Sequence, residues 1–237
     1  MVLNRTVVRP DISFVIPAFN EAATIEDVVS ETRVVAKNLS LSFETIVVDD
    51  GSTDRSEEIL ERVGKTFPEL RVVRHCPNKG VGASIVSGFR AAEGKLLFFN
   101  SADKQVAMFE LRKMLPWIGK FDLVVGRFRR REDPGIRKVM SRIYHALAHS
   151  LIGVNVRYIN ALKLMRREVF DRNYHWGENL CIDLEILSQA TKRGFKIGQA
   201  EVELRPREGS SKVASFRSIG QTLAALRELR VRGKRLP

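Results

Sequence analysis

The chain has 237 residues, 44% hydrophobic and 29% charged, which suits one globular domain with a sizeable core and excludes a disordered or fibrous composition. No apolar run reaches the roughly 18 residues of a membrane span, and the opening MVLNRTVVRPDISFVIP lacks the basic, apolar, small-residue order of a signal peptide, so a cytoplasmic chain is expected. The net charge of +12 is unevenly placed: residues 1–120 carry 16 Lys+Arg and 16 Asp+Glu, whereas residues 121–237 carry 24 and 12.

Ile12 to Ala18 (ISFVIPA) is a β-branched apolar run that predicts a strand, and helical spacing follows from Glu21 to Ala36. The pattern repeats as a strand over Glu44–Val48, a turn at DDGSTD with a capping residue, and a helix over Ser56–Phe67. A third strand is expected over Leu70–Arg74, then the loop CPNKGVG, a helix over Ala83–Ala92 and a fourth strand, LLFF. Val106–Leu115 reads as a helix stopped by Pro116, and Asp122–Gly126 as a strand. Strands separated by such helices imply crossover units, so the expected fold is α/β, a mainly parallel sheet flanked by helices with a Rossmann-like first half.

The second half is less regular. A basic loop, RFRRRED, precedes an amphipathic basic helix over Gly135–Leu151. Val154–Leu164 reads as one or two short strands, Leu180–Arg193 as a helix and Phe195–Leu204 as a strand; the polar loop RPREGSSK then leads to a basic helix over about Phe216–Leu229. No repeat or linker divides the chain, so residues 1–237 read as one domain with a first half over 11–126 and a second over 127–237. Cys76 and Cys181 are too few for a disulfide framework or zinc site and read as buried thiols. The basic half suits nucleic acid, an anionic membrane surface or a phosphorylated ligand. RFRRR lacks the aromatic stacking platform of a nucleic-acid module, so no nucleic-acid partner is expected.

Four loops follow the C-terminal ends of the first-half strands: PAFNE (17–21), DDGSTD (49–54), NKGVG (78–82) and NSADKQ (100–105). In a parallel sheet they converge at one edge, where they supply carboxylates, small residues and lysines suited to a nucleotide. His145 and His149 lie one helical turn apart without the glutamate of a zinc helix and read as a helix face. Glu178 and Asp183, near or on the helix containing ENLCIDLEIL, read as helix-end carboxylates or as a candidate general base.

FVIPAFNEAATI, ETIVVDDGSTDRS, NKGVGASIVSGFRAAEGKLLFFNSADKQ and RPREGSSK together resemble the inverting family-two glycosyltransferases of GT-A fold, in particular the dolichol- or polyprenyl-phosphate mannose synthase-like branch, over about residues 11–212. The resemblance implies that Pro17, Ala18, Asn20 and Glu21 line the nucleotide site, with Asp49 near the base and Asp50 supporting the loop. It places Asn78, Lys79 and Gly80 beside base or ribose, and Ser101 and Ala102 on the nucleotide-sugar floor. Asp103 and Gln105 match the metal-binding end of the family's Asp-x-Asp-x-Gln pattern, implying Mg²⁺ or Mn²⁺ with Asp103 catalytic. Arg127 matches a catalytic arginine, while Arg137, Ser141, Arg207 and Lys212 match acceptor- or phosphate-binding positions.

The implied function is transfer of a hexose from a GDP- or UDP-sugar to a polyprenyl or dolichyl phosphate, with a peripheral membrane attachment or a membrane partner subunit. The chain departs from the pattern at Ser101, where a carboxylate is expected, and in RYINALK, where Arg157 replaces an Asp, Ala161 and Leu162 replace Gly and Phe, and Lys163 survives. Those departures leave open a non-catalytic member that keeps nucleotide binding or serves as a regulatory subunit.

Overall fold

In a computed structural model, residues 9–129, 156, 159, 161–179 and 181–205 are described. The first half alternates β1 (Ile12–Ala18), α1 (Ile25–Asn38), β2 (Phe43–Asp49), α2 (Ser56–Gly64), β3 (Leu70–Arg74), α3 (Val81–Ala91) and β4 (Leu96–Phe99). Next come short helical turns around α4 (Leu111–Met114), then β5 (Leu123–Phe128), β6 (Lys163–Arg166), α5 (Ile182–Lys192) and β7 (Ile197–Val202). The strands form one sheet in the order β3-β2-β1-β4-β6-β5-β7, in which only β6 runs against its neighbours. The expected α/β architecture is therefore the observed one.

The sheet centres on β1, whose Phe14, Val15 and Ile16 are fully buried. Phe14 meets Phe43 of β2 and Phe98 of β4 edge-to-face, at centroid distances of 6.1 and 5.8 Å. Helix α3 lies close on this strand because residue 88 is glycine: a Cβ there would stand 2.4 Å from Val15 Cγ1. Pro17, which has no N–H for a ladder, falls past Val15↔Phe99, the last β1–β4 pair, where strand gives way to loop. All strands but β6 end on this edge, so their C-terminal loops share it.

The expected helix over Val106–Leu115 is broken into turns for a visible reason. The Asn100 amide donates to Val106 O at 2.9 Å, so the carbonyl that a helix begun at Val106 would offer to Glu110 N–H is engaged, and Glu110 N–H donates to Ala107 O at 3.1 Å in a 3₁₀ turn. Pro116 sits inside a closing 3₁₀ turn instead of ending a helix. Of the described residues within 154–164, Lys163 and Leu164 enter a strand. Cys181 is buried as expected but Cys76 is exposed, since it follows the inward-turned His75 on the loop after β3. The predicted helices over 135–151 and about 216–229, with His145 and His149, lie outside the described residues.

Near the C-terminal end of β4 lies a buried ion pair. Lys163, at the start of β6, is in register with Phe99 and Val125, and its Nζ donates to Ala161 O at 2.9 Å and to the Asp183 carboxylate on α5. Its ammonium also sits 5.6 Å from the Phe99 ring centroid. Removing one partner strands a charge in the core. Asp183→Ala is expected to lower stability by about 3–5 kcal/mol in urea denaturation, and the double variant Lys163→Met/Asp183→Ala to recover most of that loss.

Candidate functional site

The first three loops are organised by one carboxylate. Asp50, 4% exposed, accepts hydrogen bonds from Lys79 N–H at 2.9 Å, Gly80 N–H at 2.8 Å and His75 Nδ1 at 2.7 Å. Its own N–H donates to Ala18 O at the end of β1, and its carbonyl accepts from the Asn78 amide at 2.7 Å. Burial by itself would raise the Asp50 pKa, but the bonds from Lys79, His75 and Gly80 together reverse that and hold it below the ordinary 3.8. Gly51 permits the turn, with φ +71 and room for no Cβ: one would lie 2.9 Å from Asn78 N.

Loops one and two are laced together by short side chains. Asn20, at φ 55, donates its N–H to Ser52 Oγ at 2.9 Å and accepts from Thr53 N–H at 2.7 Å. Glu21 N–H donates to Ser56 Oγ, and the Asp54 carboxylate accepts from Ala22 and Ser56 N–H; the expected side-chain cap is not formed, since the cap position of α2 is Arg55 and Asp54 stands one residue before it. Asp49, also 4% exposed, accepts from Ser52 N–H through Oδ1 at 3.1 Å, and its second oxygen makes no hydrogen bond to a described residue. Pro17 and Ala18 form the strand end beneath these contacts.

The fourth loop, 100–105, is the floor. Asn100, 4% exposed, accepts from Ser101 N–H at 2.9 Å while its amide holds Val106 O. Asp103 Oδ1 accepts from Gln105 N–H at 3.1 Å, and Gln105 O accepts from Arg205 N–H at 2.8 Å, tying the floor to the segment after β7. Lys104, at φ 57, pairs with Asp27 of α1 at 2.6 Å; Ala102 is buried. Among the described residues no three His, Cys, Asp or Glu side chains converge on a point. The donor set of one carboxylate, one amide and the Ser101 hydroxyl fits a hard cation that draws its remaining oxygens from a diphosphate and water.

Other expected residues fall differently. Arg127, on β5, pairs with Glu201 of β7 at 3.1 Å, and Arg129 lies 3.6 Å from the same carboxylate. Arg137, Ser141, Arg207, Lys212 and Arg157 lie outside the described residues. Asp183 is committed to Lys163, while the half-exposed Glu178 stands 4.0 Å from Arg90. The 178–179 segment presses on the third loop, for a Cβ on Gly82 would lie 2.2 Å from Asn179 O. His75 is a structural member of the site that the motifs did not single out, and only its position just past a strand end points to it; Ser52 lies within DDGSTD.

A mainly parallel sheet with these loops gathered on its C-terminal edge defines a GT-A type fold. The model of Glycosyl transferase family 2 matches residues 13–173, and the chain belongs to that family. It is 28% identical over 234 residues to Glycosyltransferase AglD of Haloferax volcanii, covering 90% of this chain and 36% of that protein. It is 28% identical over 196 residues to undecaprenyl-phosphate 4-deoxy-4-formamido-L-arabinose transferase of Proteus mirabilis, covering 81% of this chain and 60% of the relative. The chain thus spans less than two thirds of the length of either relative. Glucosyl-3-phosphoglycerate synthase of Mycobacterium tuberculosis, solved with phosphoglyceric acid, superposes with a TM-score of 0.70 at 20% identity, covering 94% of this chain and 80% of that one. The same enzyme solved with Mg²⁺ and uridine diphosphate gives a TM-score of 0.67 at 20% identity, over 91% and 79% of the two chains.

Asp50→Asn would set an amide N–H₂ against backbone donors. It is expected to cost about 2 kcal/mol in urea denaturation at neutral pH. Because the folded pKa of Asp50 is depressed, its contribution is fully present above 3.8 and is lost as pH falls through the folded value. Asp50→Asn should therefore lose less stability than wild type when acidified below about pH 4.

Proposed function

We propose that this chain transfers a hexose, with inversion, from a nucleoside-diphosphate sugar to a polyprenyl phosphate or similar lipid phosphate. The observation that carries the reading is Asp49 on the sheet edge that the four loops share, a buried carboxylate with Oδ1 held by Ser52 N–H and its second oxygen making no hydrogen bond to a described residue. That oxygen suits a ring N–H of uracil or guanine, so UDP- and GDP-sugars both fit. Pro17, Ala18, Asn20, Glu21 and the 78–80 loop wall the nucleotide, while Ser101 and Ala102 underlie the sugar.

In this reading the bond between the anomeric carbon and the donor phosphate breaks as an acceptor phosphate oxygen attacks from the opposite face. The acceptor is already anionic, so the chain supplies no strong base; its task is to hold two phosphate groups in line. Asp103 and Gln105 would hold Mg²⁺ or Mn²⁺, which supplies Lewis-acid stabilisation of charge on the leaving diphosphate. Arg127 would exchange Glu201 for a phosphate, joined by Arg137, Ser141, Arg207 and Lys212. Ser101 keeps the floor hydrogen-bonded but uncharged, so metal affinity rests chiefly on Asp103 and the diphosphate.

The acceptor names of the bacterial relatives support a lipid phosphate. No helix among the described residues is long and apolar enough to cross a membrane. We assign the basic second half to peripheral contact with the anionic cytoplasmic membrane face or with a membrane partner, and assign it no nucleic acid.

Calorimetry with UDP and GDP, with and without Mn²⁺, followed by transfer assays to a short polyprenyl phosphate, tests the reading. Metal-enhanced binding of one nucleotide and sugar transfer are expected. Asp103→Ala should reduce kcat/KM by about 100-fold or more, and Ser101→Asp should tighten Mn²⁺ binding. Tight nucleotide binding without turnover of any donor would replace this reading with a non-catalytic nucleotide-binding subunit, which Ser101 favours.

A further inference from the structure

His75 is 6% exposed and lies between two partners: its Nδ1 is 2.7 Å from Asp50 Oδ1 and its Nε2 is 3.0 Å from Ser87 Oγ on α3. Asp50 is a buried carboxylate that also accepts from the Lys79 and Gly80 N–H groups, so it can only accept from the ring. In the neutral tautomer that donates to Asp50 the proton sits on Nδ1, and Nε2 then accepts from the Ser87 hydroxyl.

We propose that His75 is a positioning residue of the nucleotide site: its Nδ1–H orients the Asp50 carboxylate, and Asp50 in turn holds the Lys79–Gly80 peptides that shape the nucleoside wall. The proposal rests on the reading of this edge as a nucleotide site. Three features carry it. The loop between β3 and α3 is fastened to residues 49 and 50 at four of its residues, through His75 N–H to Asp49 O, the Asn78 amide to Asp50 O, and Lys79 and Gly80 N–H to the Asp50 carboxylate. These bonds occupy the Asn78 amide and the two backbone donors, so the loop's groups act as scaffold, and the Lys79 side chain, on an exposed residue, is what faces outward. Finally, Ser87 anchors the ring to α3, the helix that packs on β1 through Gly88, so the wall is referenced to the sheet.

The connectivity Ser–His–Asp is also that of a hydrolytic triad, but the local structure opposes that use. Ser87 lies within α3, where backbone N–H groups are spent in the helix ladder and none is left to form an oxyanion hole beside it.

The test compares wild type with His75→Ala, His75→Asn, His75→Gln and Ser87→Ala. Asn presents an amide nitrogen near the place of Nδ1, whereas Gln presents one near Nε2. The readouts are UDP and GDP calorimetry, donor KM against kcat, hydrogen exchange of the Lys79 and Gly80 amides, and the ¹⁵N shifts of the His75 ring. Wild type should show the Nδ1–H tautomer. His75→Ala and His75→Gln should weaken binding of the preferred nucleotide about tenfold, raise donor KM with kcat nearly unchanged, and speed exchange at both amides. His75→Asn should stay within about threefold of wild type. If His75→Ala does not fold, the contrast between Asn and Gln decides. Equal nucleotide affinity and equal amide protection in the Asn and Gln variants, or an Nε2–H tautomer in wild type, would overturn the proposal and leave the nucleotide reading standing. Failure of wild type to bind either nucleotide would overturn that reading and this proposal together.

Discussion

A carboxylate buried as deeply as that of Asp50 persists as an anion only if donors surround it, and in this fold the donors come from one loop. Lys79 N–H, Gly80 N–H and His75 satisfy the charge, while the backbone of Asp50 reaches Ala18 on one side and Asn78 on the other. The ends of β1, β2 and β3 and the start of α3 therefore share one electrostatic constraint. Side chains of loops one and two, Asn20, Ser52 and Asp54, complete the lacing with neutral or singly charged bonds to backbone. A site built this way is preorganised: its walls are set before a ligand arrives, which lowers the ordering cost of binding.

The floor is held by other means. Asn100 closes the loop from within, and α1 supports it from outside through Asp27 on Lys104 and Glu31 on Met108 N–H. Arg205 joins this system, since its N–H holds Gln105 O and its guanidinium lies 4.0 Å from Glu31. The metal-motif residues are thus tied to the segment that opens the late RPREGSSK loop. With Ser101 in the place of a carboxylate, the protein contributes little negative charge at the floor, and a nucleoside diphosphate would bring most of what a divalent cation needs.

Much of the second half's positive charge is spoken for where it can be seen. Arg127 and Arg129 share Glu201, Arg166 faces Asp122, and Lys163 meets Asp183. By sequence, the basic excess is concentrated elsewhere: residues 130–155 carry 5 Lys+Arg against 2 Asp+Glu, and residues 206–237 carry 8 against 2. These are the stretches assigned to phosphate and membrane contact, which suits a division between a balanced nucleotide half and a basic acceptor half.

The sequence by itself determined the strand runs, their order of alternation with helices and the four edge loops, because those signals are local: β-branched runs, 3.6-residue spacing and turn residues between them. It also contained the family's motifs, and with them Asp49, Asp50, Asp103 and Gln105. Only the tertiary structure decided what these groups touch. It turned His75 inward to Asp50, committed Asp183 to Lys163, paired Arg127 with Glu201, and moved the start of the helical turns past Val106 by setting the Asn100 amide against its carbonyl. Each of these outcomes depends on a partner distant in the chain, and neither spacing nor composition specifies which buried charge will meet which donor once the sheet has closed.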